Sequence, residues 1–100
     1  MAYDGWYSPE NPMPREQCPC CDYMTLPERK MYIICRVCFW EDDGTDIDTL
    51  DKPNWVNHMT LREARANFRE FGASRRDLIP HVLPETERSQ FEYRPRDIDD

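Results

Sequence analysis

Five cysteines carry the most specific chemistry in this 100-residue chain. Cys18 and Cys21 form one Cys-x-x-Cys and Cys35 and Cys38 a second, with residues 22–34 between them. Two such turns can each present a pair of thiolates, and a chain that returns between them brings four sulfurs around one tetrahedral ion. Zinc suits four thiolates and has no redox chemistry of its own. The expected cofactor is therefore one structural Zn2+ on Cys18, Cys21, Cys35 and Cys38, with binding coupled to folding. The fifth cysteine, Cys20, leaves Cys20 with Cys21 and Cys18 with Cys20 as other pairings. Only Cys18 with Cys21 repeats the gap of the second pair, and Pro19 pre-shapes the turn between them. Cys20 is then a spare thiol beside the metal, either packed or open to oxidation as a thiol redox sensor.

Catalytic patterns fit less well. A zinc hydrolase needs an open coordination position and a nearby base, whereas four thiolates close the shell. His58 and His81 are single histidines outside any HExxH or HxE…PCxxC pattern, expected as a loop side chain and a partly buried one. A thioredoxin-like site would open a helix with its Cys-x-x-Cys, but the helical pattern starts only at Leu61. The chain is read as non-enzymatic.

Charge points to a protein partner. Thirteen basic against twenty acidic residues give a net charge of −7, which opposes attraction to phosphate backbones and anionic lipid. Glu41, Asp42, Asp43, Asp46, Asp48 and Asp51 crowd one stretch without a Lys or Arg before Lys52, and no EF-hand template can be laid over it. The leading expectation is a protein–protein interaction module that meets a basic partner surface through Glu41, Asp42, Asp43, Asp46 and Asp48, with Trp55 as a hydrophobic anchor. An immunity- or antitoxin-like protein that blocks a basic nuclease is one concrete form. The competing reading is a nucleic-acid-binding zinc ribbon that uses Arg62, Arg65 and Arg69 with Trp55. The longest apolar run, Met31 to Cys35, is far below the roughly 20 residues of a membrane span, and no secretory pattern opens the chain. A reducing cytoplasm is expected, where cysteines serve as ligands more often than as crosslinks.

The elements that must position these groups are few. Three prolines over residues 1–17 predict an extended arm, and Met31 to Cys35 is short, apolar and β-favouring. Glu41 to Lys52, closed by Pro53-Asn54, reads as a loop. Leu61, Ala64, Phe68 and Phe71 recur at helical steps; Thr60 with Glu63 makes a capping box and Gly72 a left-handed stop, which predicts a helix over 61–71. Phe39 and Trp40 are expected to pack the second cysteine turn onto that helix, whose arginines form a solvated face. Prolines 80 and 84 predict an extended strip over 77–84, and the charged tail, 85–100, is expected to be partly disordered around Phe91, Tyr93 and Ile98.

Taken together, Cys18-Pro19-Cys20-Cys21, Thr25-Leu26-Pro27, Cys35-Arg36-Val37-Cys38-Phe39-Trp40-Glu41-Asp42-Asp43, Pro53-Asn54, the helix segment from Leu61 to Gly72, and Pro80-His81-Val82 resemble the bacterial cysteine-rich CPCC domain family. The likeness covers roughly residues 18–84. Asp22 stands where that family carries Gly, and Arg36 where it carries Pro. The resemblance implies a small zinc-ribbon-like domain in bacteria or their phages and brings no activity with it. The fold expected is small α+β, a zinc ribbon or knuckle pair with short β-strands plus one main α-helix, over 18–84 between an arm and a tail.

Overall fold

Few segments among the described residues are regular, because turns set by side chains replace most of the backbone pairing. The computed structural model describes residues 16–96, so the expected arm lies outside the described residues apart from Glu16 and Gln17. The one α-helix among them, α1, runs Leu61–Phe71, with short 3-10 turns at Ile47–Thr49, Arg76–His81 and Glu85–Gln90. Thr60 caps α1 by accepting the Glu63 N–H at 3.2 Å, while the Glu63 carboxylate accepts the Thr60 N–H at 2.9 Å. Gly72 ends it at φ 81°, donating to the Phe68 carbonyl. A side chain there would also meet Arg88 Nη2 at 2.6 Å, because the Arg88 guanidinium lies over the Phe68 ring.

Leu61, Ala64 and Arg65 are the buried residues of α1. Leu61 and Ala64 join Leu26, Val37, Trp40, Phe91 and the five cysteines in one core, with Phe68, Leu50 and Leu83 packed at its edge. Trp40 packs into this core as its residue type predicts. Phe39 instead takes a left-handed backbone, φ 68°, and stacks on His81 with ring centroids 5.5 Å apart.

The expected strand at Met31 to Cys35 does not form. Lys30 and Tyr32 both have positive φ, 68° and 57°, which breaks an extended run, and Met31 and Tyr32 stand exposed. Tertiary bonds override the local β preference: the Lys30 N–H donates to the Asp42 carboxylate at 2.8 Å and the Tyr32 N–H to the Asp42 carbonyl at 2.9 Å. Pairing among the described residues reduces to isolated antiparallel bridges, Glu16 with Leu26, Tyr23 with Tyr93 and Ile34 with Glu41. The ribbon strands of the expected fold are thus single bridges.

Two further expectations change. The strip before Pro84 is wound into the Arg76–His81 turn, with Pro80 inside it, since 3-10 geometry tolerates the fixed φ of proline in a short piece. Residues 88–96 make contacts with the domain. Phe91 enters the core, the Met24 N–H donates to the Glu92 carbonyl at 2.8 Å, and the Arg94 N–H donates to the Asp22 carbonyl at 3.1 Å. Residues 97–100 lie outside the described residues.

Candidate metal centre

The two cysteine turns have one conformation. In the first, the Cys18 carbonyl accepts from the Asp22 N–H at 3.0 Å and the Cys18 N–H donates to the Tyr23 carbonyl at 2.9 Å. In the second, Cys35 does the same with Phe39 and Trp40, at 2.8 and 3.0 Å. Each turn closes through a left-handed residue, Asp22 at φ 69° and Phe39 at φ 68°. Asp22 therefore fills the position where glycine would be easiest. Phe39 is the matching position that residue type alone does not reveal.

This repeated geometry aims four sulfurs at one point. The Sγ atoms of Cys18, Cys21, Cys35 and Cys38 all lie within 4.8 Å of one another, and the Cys18–Cys38 and Cys21–Cys35 separations are both 3.6 Å. A tetrahedral ion with metal–sulfur bonds of about 2.3 Å needs sulfur–sulfur edges of about 3.8 Å, so the donor set fits such an ion. Thr25 supports it by donating its hydroxyl to Cys35 Sγ at 3.0 Å. Burial pushes the Cys18 thiol up to about 11 and the Cys21 and Cys38 thiols well above their ordinary value. Burial acts on Cys35 in the same sense, but hydrogen bonds from Cys18, Cys21, Cys38 and Thr25 reverse it and hold that thiol well below. A cation that takes all four as thiolates must displace protons from the rest.

Cys20 is not among the four. It is 2% exposed and packed in the core, so the accessibility a redox-sensing thiol needs is missing. His58 and His81 are exposed, and among the described residues no other group of His, Cys, Asp and Glu converges on a metal position.

The acidic stretch turns inward. Asp42 is fully buried, its carboxylate accepting from Arg29 Nε at 2.9 Å, Arg29 Nη2 at 3.2 Å and the N–H groups of Lys30 and Gly44. Asp42 therefore cannot serve as the docking residue its neighbours suggested. Asp43 accepts from the Thr45 N–H and Asn54 Nδ2, and Asp46 from Arg29 Nη1 at 2.6 Å, Arg96 Nη1 at 3.1 Å and the Ile47 N–H. Glu41 is half-buried with both its backbone N–H and carbonyl held by the Asn57 amide, which leaves Asp48 the exposed member of the five. Trp55 is exposed.

The basic face also reads differently from its residue types. Arg65 is buried, giving Asp22 two hydrogen bonds at 2.8 and 3.0 Å and the Pro19 carbonyl one at 2.6 Å. Burial works against the charged form of Arg65, and Asp22, then the sulfurs of Cys20 and Cys18, more than offset it. Burial likewise opposes ionisation of Asp22, and Arg65 and Arg96 hold its carboxyl below the usual value. Arg62 pairs with Asp51, and Arg75 with Asp77. The residues missed from sequence are Arg65, Arg29, Arg96, Asn54 and Asn57. For Arg65 a signal existed, since it lies one turn beyond Leu61 and beside Ala64 on the apolar stripe.

Four buried sulfurs gathered by two matching knuckles define a small cysteine-cluster domain fit for a metal ion. The chain belongs to the cysteine-rich CPCC family, whose model matches residues 16–89. No curated protein and no solved structure matches it. Among the described residues no helix is long and apolar enough to cross a membrane.

Proposed function

We propose that this chain is a non-enzymatic zinc protein of the reducing cytoplasm that acts as a protein–protein interaction module for a basic partner. The observation that carries the reading is the sealed four-sulfur cluster: Cys18, Cys21, Cys35 and Cys38 are each at most 3% exposed. A Zn2+ held by four thiolates has no open position for substrate, so the ion supplies folding energy and the work falls to the surface. The net charge of −7 sets the sign of the partner. A nuclease-blocking form based on the acidic stretch loses support, because Asp42, Asp43 and Asp46 are engaged internally. The nucleic-acid reading loses support as well, because Arg65 is buried and Arg62 is paired.

Two measurements test this. Elemental analysis of the purified chain should find one zinc per molecule, and iron in its place would overturn the metal assignment. Affinity capture from the native cell should recover a basic protein whose retention weakens as salt rises. Recovery of nucleic acid alone, or turnover of a small substrate, would overturn the functional reading.

A further inference from the structure

Trp55 is the most exposed of the large apolar side chains among the described residues. It is 85% exposed, whereas Trp40 is fully buried. The loop that carries it is nonetheless stiff. Asn54 and Asn57 on either side are buried, and Asn54 Oδ1 accepts both the N–H and the Nδ2 of Asn57 at 2.9 Å. Asn54 Nδ2 ties the loop to Asp43 and to Thr45, and the His58 N–H closes it onto the Asn54 carbonyl at 2.9 Å. His58 itself has φ 61°, a conformation that only a well-determined turn maintains. The indole is therefore presented by a preorganised loop, the condition under which a tryptophan binds a partner with little ordering cost.

A groove of about 330 Å³ runs beside it, lined by Pro53, Trp55, Met59 and Glu63 among others. One Glu63 oxygen accepts from the Thr60 N–H and hydroxyl. Its other oxygen takes no hydrogen bond among the described residues. An aromatic face with a thioether, a proline and a carboxylate at the rim suits a cationic side chain: the ring face attracts the charge and the carboxylate accepts its N–H groups. Arginine fits this pairing best, since its planar guanidinium can stack and donate at once. The chain's net charge of −7 favours the same occupant and opposes nucleic acid.

We propose that Trp55 and Glu63 form a docking groove for an arginine-bearing basic segment of a partner protein, with the guanidinium over the indole and paired to the carboxylate. This rests on the interaction-module reading and names the site and the partner chemistry for it.

The test uses the zinc-loaded full chain and a short acetylated Arg-Ser repeat peptide, followed by NMR of the Trp55 indole N–H, which Trp55→Phe assigns. The peptide should shift that signal saturably. Trp55→Ala should weaken binding by about tenfold or more, as truncation of a hot-spot aromatic does. Glu63→Gln, which keeps the capping box, should weaken it by about fivefold. Asp48→Asn removes an equal exposed charge outside the groove and should leave binding within about twofold. Equal losses for Glu63→Gln and Asp48→Asn, or undiminished binding by Trp55→Ala, would overturn the groove. So would an oligothymidine that shifts the indole where the peptide does not, or a dimer in sedimentation that Trp55→Ala dissolves. If Trp55→Ala still captures the basic protein from cells, the groove fails and the interaction module stands; if the unaltered chain captures none, the module fails first.

Discussion

Cys20 and Cys35 are both buried thiols, yet only Cys35 belongs to the four-sulfur group. The consequence for folding differs by an order of magnitude. Structural zinc contributes about 10–16 kcal/mol of apparent binding energy, comparable with or above the about 5–15 kcal/mol of a whole domain's stability. Cys35→Ser should therefore give a chain without bound metal and without the far-UV CD of the native fold. Cys20→Ala should keep one zinc per chain and cost about 1–2 kcal/mol in urea unfolding, the loss of a small packed side chain. Native protein should resist iodoacetamide at all five cysteines until a chelator removes the metal, and rapid labelling of Cys20 in the zinc-loaded chain would contradict its burial. Which four cysteines gather was legible from spacing, because the knuckle is a local motif. The fate of Cys20 was not, because burial depends on what packs over the knuckle, here the helix and the tail.

At the scale of elements, α1 is joined to the first knuckle by a buried ion pair. Arg65 Nη1 and Nη2 meet the two oxygens of Asp22, and Asp22 is also held by Arg96 from the tail. Removing Arg65 leaves Asp22 in the interior with Arg96 as its remaining cation, so Arg65→Met should destabilise by about 2–3 kcal/mol, less than a wholly unpaired buried charge would cost. Adding Asp22→Asn should recover part of that loss, since Asn tolerates the left-handed backbone and no longer brings a charge. Additive losses in that double variant would mean that the pair is not coupled. Gly72→Ala should cost about 1–3 kcal/mol through positive φ alone, with the displaced Arg88 adding to it. The bounds of α1 and both its caps were legible because they are set within a few residues. Arg65 was misread because type outweighed position, and the strand at Met31 to Cys35 because bonds to Asp42 are not written in the segment itself.

Across the molecule, Arg65, Asp22, Arg96, Asp46, Arg29 and Asp42 alternate in sign along one chain of contacts, from the helix through the tail to the turn after the second knuckle. Acid should attack the metal before it attacks this network. The proposed zinc would take the four thiols as thiolates, so its contribution should be complete above the unfolded thiol value near 9 and fade as pH falls. Burial opposes ionisation of Asp46, and Arg29, the Ile47 N–H and Arg96 together lower its carboxyl below the ordinary 3.8. Its contribution is therefore full above 3.8 and fades only below it. Metal release should thus set the acid midpoint. With four protons exchanged per ion, each tenfold rise in free zinc should lower that midpoint by about 0.25 pH unit. Asp46→Asn, weakened by about 1 kcal/mol because the site is only partly buried, should raise the midpoint by about 0.2 pH unit and leave the zinc slope unchanged. Far-UV CD across pH at several buffered zinc levels measures both quantities, and a midpoint indifferent to zinc would show that the charge network, not the ion, closes this fold.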